Sequence, residues 1–204
     1  AEPWRVPNAD ELPDIPVTFA KDKATFHPYS RDEKTLARPW ALPGTPGLEN
    51  RIGGLEKQHI TGNISYDPDN HDFMIKMRAE KIERIAEDIP LQEVDGDRNG
   101  EIAVVGWGSS YGAIVTAVEN CREKGHPVSH IHLRYLFPFP KNLGELLSGF
   151  KKVLVPEINN GQLVRLLREK YLIDAVGFNR IKGQPLGSEE IEETIESMLG
   201  GENA

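Results

Sequence analysis

Four short apolar segments alternate with helical patterns in the second half of the chain. They lie at residues 101–107, 128–139, 151–158 and 174–181. Apolar runs of this length are typical of parallel strands that are buried on both faces. Because a segment long enough for a crossover helix separates each pair, the pattern predicts an α/β fold, a three-layer sandwich with a mainly parallel sheet.

Three segments, two between the predicted strands and one after the last of them, place apolar residues along one helical face. The stripes are Tyr111, Ile114, Val115, Val118 and Cys121; Leu163, Leu166, Leu167 and Tyr171; and Ile191, Ile195, Met198 and Leu199. Ser109 or Ser110 can cap the start of the first helix, and Ser188 opens the last. Residues 100–204 are therefore predicted to form one α/β domain.

The first half of the chain has a different pattern. Residues 38–71 are rich in Gly and Pro and have neither helical nor strand periodicity. Structureless loops longer than about 12–15 residues are uncommon in compact domains and are usually functional or disordered. Residues 71–89 form one helical pattern, with Ile75 and Ala79 on its stripe. We therefore predict an extended arm or interdomain segment at 1–70 and a helix with a linker at 71–99.

Composition excludes several classes of protein. The net charge is −8 and the basic residues form no block, so a nucleic-acid groove or an anionic membrane is not expected as a partner. No apolar run approaches the roughly 18–20 residues of a membrane span, and no signal peptide opens the chain, so a cytoplasmic protein is predicted. The only cysteine, Cys121, excludes an internal disulfide, a zinc ribbon or an iron–sulfur cluster bound by this chain alone.

A glycine-rich turn, GWGSSYG at 106–112, lies between a predicted strand and a predicted helix. Such a turn can bind phosphate on helix N–H groups. The dinucleotide fingerprint requires Gly where this chain has Tyr111, and the second strand is followed by Arg134 rather than by an acidic residue. A serine-capped turn is the favoured interpretation, and nucleotide binding is the alternative.

Two further patterns resemble metal sites, but each lacks a required ligand. DGDRNG at 95–100 matches the start of a calcium loop, but the position of its bidentate glutamate is Gly106. His130 and His132 lie on one side of a strand, and nothing nearby supplies a third ligand at a recognisable spacing. We therefore expect a polar turn at 95–100 and helix packing over the two histidines.

VPEINNGQ at 155–162 places Glu157, Asn159 and Asn160 just beyond the third strand. Open α/β sheets bind ligands at the carboxyl ends of their strands. A helix cap formed by Asn159 or Asn160 is the simpler interpretation, and both interpretations stay open at this point.

Seven stretches of the chain, taken together, resemble one family, the α-subunit of 2-oxoacid:ferredoxin oxidoreductases. The 2-oxoglutarate type is the most similar. The stretches follow in collinear order along nearly the whole chain: 2–7, 38–57, 61–71, 108–118, 132–147, 152–174 and 179–185. The blocks at 38–71 and 153–172 are the most specific.

The resemblance implies a thiamine diphosphate enzyme that decarboxylates a 2-oxoacid, passes the acyl group to coenzyme A and reduces ferredoxin through a [4Fe–4S] cluster. In that family the diphosphate and magnesium motif and the cluster cysteines belong to the β-subunit. This chain resembles the C-terminal part of the α-subunit, after its pyrimidine-binding domain. Its second half would be the transketolase C-terminal-like domain, which organises subunits.

The resemblance therefore implies that this chain contributes no catalytic, cofactor-binding or metal-binding residue and is inactive alone. Its expected partners are the remainder of the α-subunit, the β-subunit and, through the complex, ferredoxin. The alternative to a part of a 2-oxoglutarate enzyme is a non-catalytic assembly module of another thiamine diphosphate enzyme, of the pyruvate or branched-chain 2-oxoacid type.

The polar residues of the arm suggest a second role. Arg51, His59, Thr61 and Asn63 could offer a cation and hydrogen-bond donors to a dicarboxylate substrate or to coenzyme A. The competing interpretation is an interdomain strap anchored by three apolar side chains, those of Trp40, Leu48 and Ile52.

Overall fold

A computed structural model describes residues 5–15 and 17–200, and the chain divides into two compact units, Ala1–Arg84 and Ile85–Ala204. Residues 2–4 of the first family-like stretch, and the ends of the predicted arm and α/β domain at 1–4 and 201–204, lie outside the described residues. The domain boundaries at residues 70 and 99 stay predictions.

The arm of the first unit is extended, as expected. Between residues 5 and 67 the described backbone forms one 3-10 turn at Ala9–Glu11 and isolated bridges such as Tyr29–Ile60 and Lys57–Ile64. The buried side chains among the described residues of this unit are only Leu36, Leu48, Lys57 and Met74. The arm therefore has no apolar core of its own.

Helix α1 (Pro68–Arg84) follows the arm, and a 3-10 turn at Ile85–Glu87 follows α1. The helix thus begins three residues before the predicted start and ends five residues before the predicted end. Its buried side chain is Met74, whereas Ile75 of the predicted stripe is 48% exposed. The predicted face was therefore wrong. On the exposed surface of the helix, Glu80 and Arg84 form an i,i+4 ion pair.

The second unit contains one sheet with the order β2-β1-β3-β4, in which every pair of neighbours is parallel. Its strands are β1 (Gly100–Trp107), β2 (Val128–Leu133), β3 (Phe150–Glu157) and β4 (Ala175–Asn179). The described residues thus confirm the predicted α/β class with a parallel sheet.

Two helices cover each face of this sheet, which confirms the three layers. Helices α3 (Leu143–Ser148) and α4 (Gln162–Tyr171) pack on the face that includes Val105 and Val155. Helices α2 (Tyr111–Glu123) and α5 (Ser188–Gly200) pack on the face that includes Val104 and Leu154. Alternate residues of each central strand point to opposite faces, so both sets have to be apolar.

The outer edge of β2 is covered by the chain that leads into β1. Asp95 and His130 exchange two backbone hydrogen bonds, each of 2.9 Å. Covering an edge strand in this way removes unpaired backbone groups that could otherwise pair with another chain.

The end of strand β2 and the buried faces of helices α4 and α2 differ from the prediction. Strand β2 ends at Leu133 rather than at 139, so the segment that leads to Pro138 and Pro140 is not part of the sheet. In α4, Val164 is buried and Leu166 is 46% exposed, so the predicted stripe was wrong at Leu166. In α2, Tyr111 is 54% exposed.

Two neighbouring leucines of α4 test this assignment. We expect Leu167→Ala to lower the free energy of unfolding by about 2–5 kcal/mol, because it empties a fully buried site. Leu166→Ala is the matched control and should change it by only about 0.5 kcal/mol. Urea denaturation followed by circular dichroism measures both, and equal losses would contradict the orientation of α4.

Candidate functional site

A buried carboxylate occupies the carboxyl end of β3, where α/β sheets commonly bind ligands. Glu157 is 1% exposed. It accepts hydrogen bonds from the backbone N–H groups of Leu163, at 2.8 Å, and Val164, at 3.1 Å. The carboxylate therefore fills the N-terminus of α4, where N–H groups have no helical partners.

Two side chains near Glu157 donate further hydrogen bonds to its carboxylate. Trp107 Nε1 donates to it at 3.3 Å, and Asn159 Nδ2 at 3.0 Å. Asn159 Oδ1 in turn accepts from the N–H of Gln162 at 2.8 Å. The cap interpretation is thus correct for Asn159, but the sequence analysis missed that Glu157 caps the helix more extensively. A carboxylate just before a turn of several polar residues was the available signal.

The GWGSSYG turn lies beside this carboxylate. Ser110 Oγ donates to the carbonyl of Trp107 at 2.8 Å and accepts from its N–H at 3.2 Å, so the serine closes the turn and does not cap α2 as predicted. The cavity here has a volume of only about 100 Å³ and is lined in part by Glu157. A small cavity with a negative wall does not favour a dinucleotide.

The two histidines of β2 pack against the first residue of α2, as expected. The ring of Tyr111 lies 4.8 Å from the ring of His132 and 5.7 Å from that of His130, between centroids. Burial lowers the pKa of His130 to about 4 and lowers that of His132. Both imidazoles are therefore neutral near pH 7.

In the predicted polar turn at 95–100, the carboxylate of Asp95 pairs with Arg122 at 3.2 Å. Among residues 5–15 and 17–200, no group of three or more His, Cys, Asp or Glu side chains could bind a metal ion.

Three of the four predicted substrate-mouth residues line one groove in the arm. Arg51, Thr61 and Asn63 border a cavity of about 360 Å³ together with Glu49 and Asn50. Most of these side chains can form hydrogen bonds, and Arg51 contributes a positive charge beside the carboxylate of Glu49. The groove therefore offers one guanidinium and several hydrogen-bonding groups to a small polar ligand.

A tight turn at residues 58–63 positions one wall of the groove. Thr61 Oγ1 donates to Gln58 Oε1 at 3.0 Å, and the N–H of Gln58 donates to the carbonyl of Asn63 at 2.7 Å. Gly62 has φ +73°, and a Cβ there would lie 2.8 Å from the ring of Tyr29. The turn therefore requires glycine at this position.

His59 does not line this groove, although its carbonyl accepts a hydrogen bond from the N–H of Thr61 at 2.9 Å. Its ring packs edge-on against Phe73 at 4.6 Å, and its N–H donates to Asn70 Oδ1 at 2.9 Å. Burial, and then the nearby Arg31, lower the pKa of its imidazole.

Charged side chains keep the neighbouring part of the arm ordered. Glu56 binds His71 Nδ1 at 2.7 Å and Arg78 at 3.2 Å, and the hydrogen bond from Arg78 is the main reason why its pKa falls to about 2. Lys57 is 1% exposed, and its ammonium donates to the carbonyls of Gly53 and Leu55.

The three proposed strap anchors differ in their environment. Leu48 is 3% exposed, whereas Trp40 is 64% and Ile52 is 85% exposed. The arm thus presents large apolar side chains at its surface.

Comparisons with known proteins agree with this fold. Residues 100–188 match the family model described as pyruvate:ferredoxin oxidoreductase core domain II. The KorA subunit of 2-oxoglutarate oxidoreductase from Mycobacterium tuberculosis is 49% identical over 98% of this chain and 31% of that relative. The KorA subunit of 2-oxoglutarate synthase from Methanocaldococcus jannaschii is 29% identical over 96% of this chain and 57% of that relative.

One solved structure is similar along nearly the whole chain. It is a 2-oxoglutarate:ferredoxin oxidoreductase from Magnetococcus marinus with 2-oxoglutarate, coenzyme A and succinyl-CoA bound, and it superposes with a TM-score of 0.84 at 26% sequence identity. The match covers 95% of this chain and 34% of that chain.

The second unit is thus an α/β domain of the type found in pyruvate:ferredoxin oxidoreductases. The whole chain belongs to the α-subunit family of 2-oxoacid:ferredoxin oxidoreductases, which confirms the resemblance seen in the sequence. It spans about a third of the length of the M. tuberculosis relative and of the M. marinus chain. In the part of the chain that the structure describes, no helix is long and apolar enough to span a membrane.

The Glu56 network gives a pH-dependent contribution to stability. Its pKa is lowered from 4.5 to about 2, so the stabilisation is present above 4.5 and lost as the pH falls toward 2. We expect Glu56→Gln to be less stable than the parent at about pH 5.5, with the difference shrinking toward about pH 2.5. Chemical denaturation measures this, with exposed Glu33→Gln as control; a pH-independent difference would contradict the network.

Proposed function

We propose that this chain is part of the α-subunit of a 2-oxoglutarate:ferredoxin oxidoreductase. The complete enzyme would use thiamine diphosphate to decarboxylate 2-oxoglutarate, transfer the succinyl group to coenzyme A and pass two electrons to ferredoxin. The bacterial and archaeal relatives named for 2-oxoglutarate support this substrate. So do the 2-oxoglutarate, coenzyme A and succinyl-CoA bound in the M. marinus structure.

The observation with the most weight is that the structural likeness extends through the arm. A match that covers 95% of this chain includes most of the first 84 residues as well as the α/β domain. The arm has no apolar core that would determine its backbone conformation. That a relative at only 26% identity shares this conformation therefore indicates that the conformation has a function.

The chain would contribute organisation rather than reactive groups. A [4Fe–4S] cluster is usually bound by four thiolates, and the only cysteine here, Cys121, is buried in the face covered by α2 and α5. Burial also raises the pKa of this thiol, which disfavours the thiolate that a metal needs. The residues present do not fit the cluster, and thiamine diphosphate, magnesium and the cluster would be bound by other parts of the enzyme.

The partners would be the remainder of the α-subunit with its pyrimidine-binding domain, the β-subunit and ferredoxin, in the cytoplasm. The names of the relatives as subunits support assembly with other chains. The exposed Trp40, Ile52 and Tyr66 of the arm are of the kind that subunit contacts cover.

Reconstitution of the complete enzyme tests this proposal. We expect full-length α-subunit and β-subunit together to reduce ferredoxin with 2-oxoglutarate and coenzyme A. This chain alone should neither do so nor bind thiamine diphosphate. Activity is followed by ferredoxin absorbance, and thiamine diphosphate binding by calorimetry.

Substrate comparison separates this proposal from its alternative. Pyruvate and a branched-chain 2-oxoacid serve as competing substrates in the same assay, and a preference for either would replace the assignment to 2-oxoglutarate. A complete enzyme that is equally active after deletion of residues 100–204 from this part would contradict the organising role.

We also propose that the groove of Arg51, Thr61 and Asn63 contacts an anionic group of the substrate or of coenzyme A. The guanidinium suits a carboxylate or a phosphate, and the hydroxyl and amide add hydrogen bonds to it. His59 does not line this groove, so we propose for it only a role in positioning the turn at 58–63.

A charge-neutralising variant tests the groove. We expect Arg51→Gln to raise the KM for 2-oxoglutarate or for coenzyme A about tenfold in the complete enzyme, since one charge-assisted hydrogen bond is lost. Lys21→Gln, an exposed cation outside the groove, is the control and should leave both KM values unchanged. If Arg51→Gln has parent kinetics, the groove has no substrate role.

A further inference from the structure

Strand β4 is the uncovered edge of the sheet. The other edge strand, β2, is bridged by the segment that contains Asp95, whereas β4 has β3 as its one neighbour. In the part of the chain that the structure describes, no backbone hydrogen bond reaches the outer side of β4. An uncovered edge presents unpaired N–H and carbonyl groups, and it can pair with a strand of another chain.

The direction of the backbone groups in β4 follows from its bonds to β3. The N–H of Arg180 donates to the carbonyl of Glu157, the last residue of β3, at 2.9 Å. Arg180 therefore faces β3. Because the direction alternates from residue to residue along a strand, the backbone groups at odd positions of β4 point outward. These positions are Ala175, Gly177 and Asn179.

The middle of this edge is open. Gly177 is exposed, and no described side chain bonds to its N–H or carbonyl. At the two ends, Arg168 donates to the carbonyl of Ala175 at 3.2 Å and Arg180 donates to that of Asn179 at 3.4 Å. Each of these carbonyls keeps a second lone pair. Residues 175–179 contain neither a charged residue nor a proline, which are the usual devices that keep an edge from pairing.

The edge is complementary to itself in one antiparallel register. When a two-fold axis passes beside Gly177, the Gly177 residues of two copies lie opposite each other and exchange two backbone hydrogen bonds. Ala175 then lies opposite Asn179, and the outward groups of both are again opposed. Val176, which is 42% exposed, lies opposite Phe178 and gains an apolar neighbour. Every outward backbone group of β4 therefore has a partner in this register.

The charges that flank β4 match in the same register. Asp174 of one copy lies opposite Arg180 of the other, and the symmetry creates this pair twice. The side chain of Asp174 is 90% exposed and lies 3.5 Å from Arg168, so it is accessible to a second chain. Arg180 is held beside the strand by Glu190 at 3.1 Å. An unrelated strand would have to supply this pattern of charges, whereas a second copy has it by symmetry.

We propose that β4 is an interface between two copies of this chain. The two β4 strands pair antiparallel about Gly177 and join the two four-stranded sheets into one. This goes beyond the organising role proposed above, because it names the surface and its partner. The paired strands are short, so the dimer dissociates on dilution.

Sedimentation velocity of the 204-residue chain over a series of concentrations tests the proposal. We expect a reversible equilibrium between monomer and dimer. A chain that stays monomeric up to about 1 mM overturns the proposal.

A pair of variants at Gly177 locates the interface. Gly177→Pro removes an N–H that points away from β3, so the sheet keeps its own bonds. Gly177→Ala is the matched control, because its Cβ meets the same side chain, Val164, at 3.3 Å but the N–H remains. We expect the dissociation constant of the dimer to rise at least tenfold in Gly177→Pro relative to Gly177→Ala. Circular dichroism checks that both are folded, and equal dimerisation of the two overturns the proposal.

Charge reversal tests the register without changing the backbone. Asp174→Arg places cations opposite each other at both ends of the paired strands, so the dissociation constant should rise about tenfold. Glu119→Arg makes the same change of charge at an exposed position of α2 and should leave the constant unchanged. If Asp174→Arg dimerises as well as the parent, the register is wrong and the proposal fails.

Amide hydrogen exchange identifies the paired strand directly. The N–H of Gly177 should exchange more slowly in proportion to the fraction of dimer, because it gains a partner there. The N–H of Gly54, at an exposed position of the arm, is the internal control and should exchange at a constant rate. Exchange at Gly177 that does not slow while the chain dimerises would place the interface elsewhere and overturn the proposal.

Discussion

Burial of the four-stranded parallel sheet on both faces is the constraint on which the second unit depends. Alternate residues of β1 and β3, such as Val104 and Val105, enter opposite cores, so no face of a central strand can be polar. Parallel strands also need crossover connections. The two helices on each face provide these connections and also cover the apolar faces of the sheet. Polar chemistry is thereby restricted to the strand ends and to the two edge strands, β2 and β4.

One of those strand ends is closed by the protein itself. A carboxylate as buried as that of Glu157 is tolerable only if donors surround it, and two helix N–H groups, an indole and an amide do so. The N-terminus of α4 could otherwise bind an anionic ligand, but the carboxylate of Glu157 occupies it and stabilises the helix. A larger cavity of the unit lies instead beside β2, and polar side chains such as Glu93 and Arg134 line it.

The sequence predicted what depends on periodicity and missed what depends on turns. The alternating segments predicted the sheet and its layers, because burial determines both. Leu166 was misassigned because Leu166 and Val164 lie on opposite flanks of the stripe through Leu163 and Leu167, and the flank that is buried is that of Val164. The role of Glu157 was missed because its donors lie six and seven residues later and reach it only through a turn with Gly161 in a left-handed conformation, which the polar pattern alone does not specify. Likewise, polar content grouped His59 with Arg51, but the ring of His59 packs on Phe73 and does not line the groove.

The arm differs from the second unit because no apolar core holds its backbone in place. Side chains bind its backbone instead: Lys57 binds the carbonyls of Gly53 and Leu55, Asn70 binds Lys57 and His59, and Arg84 binds Glu33 and Lys34. Each such bond adds little net stability, whereas ordering each residue costs conformational entropy. With large apolar side chains such as Trp40 and Ile52 left exposed, the arm is better suited to being covered by another surface than to standing alone. That requirement agrees with the role proposed for it inside a larger subunit.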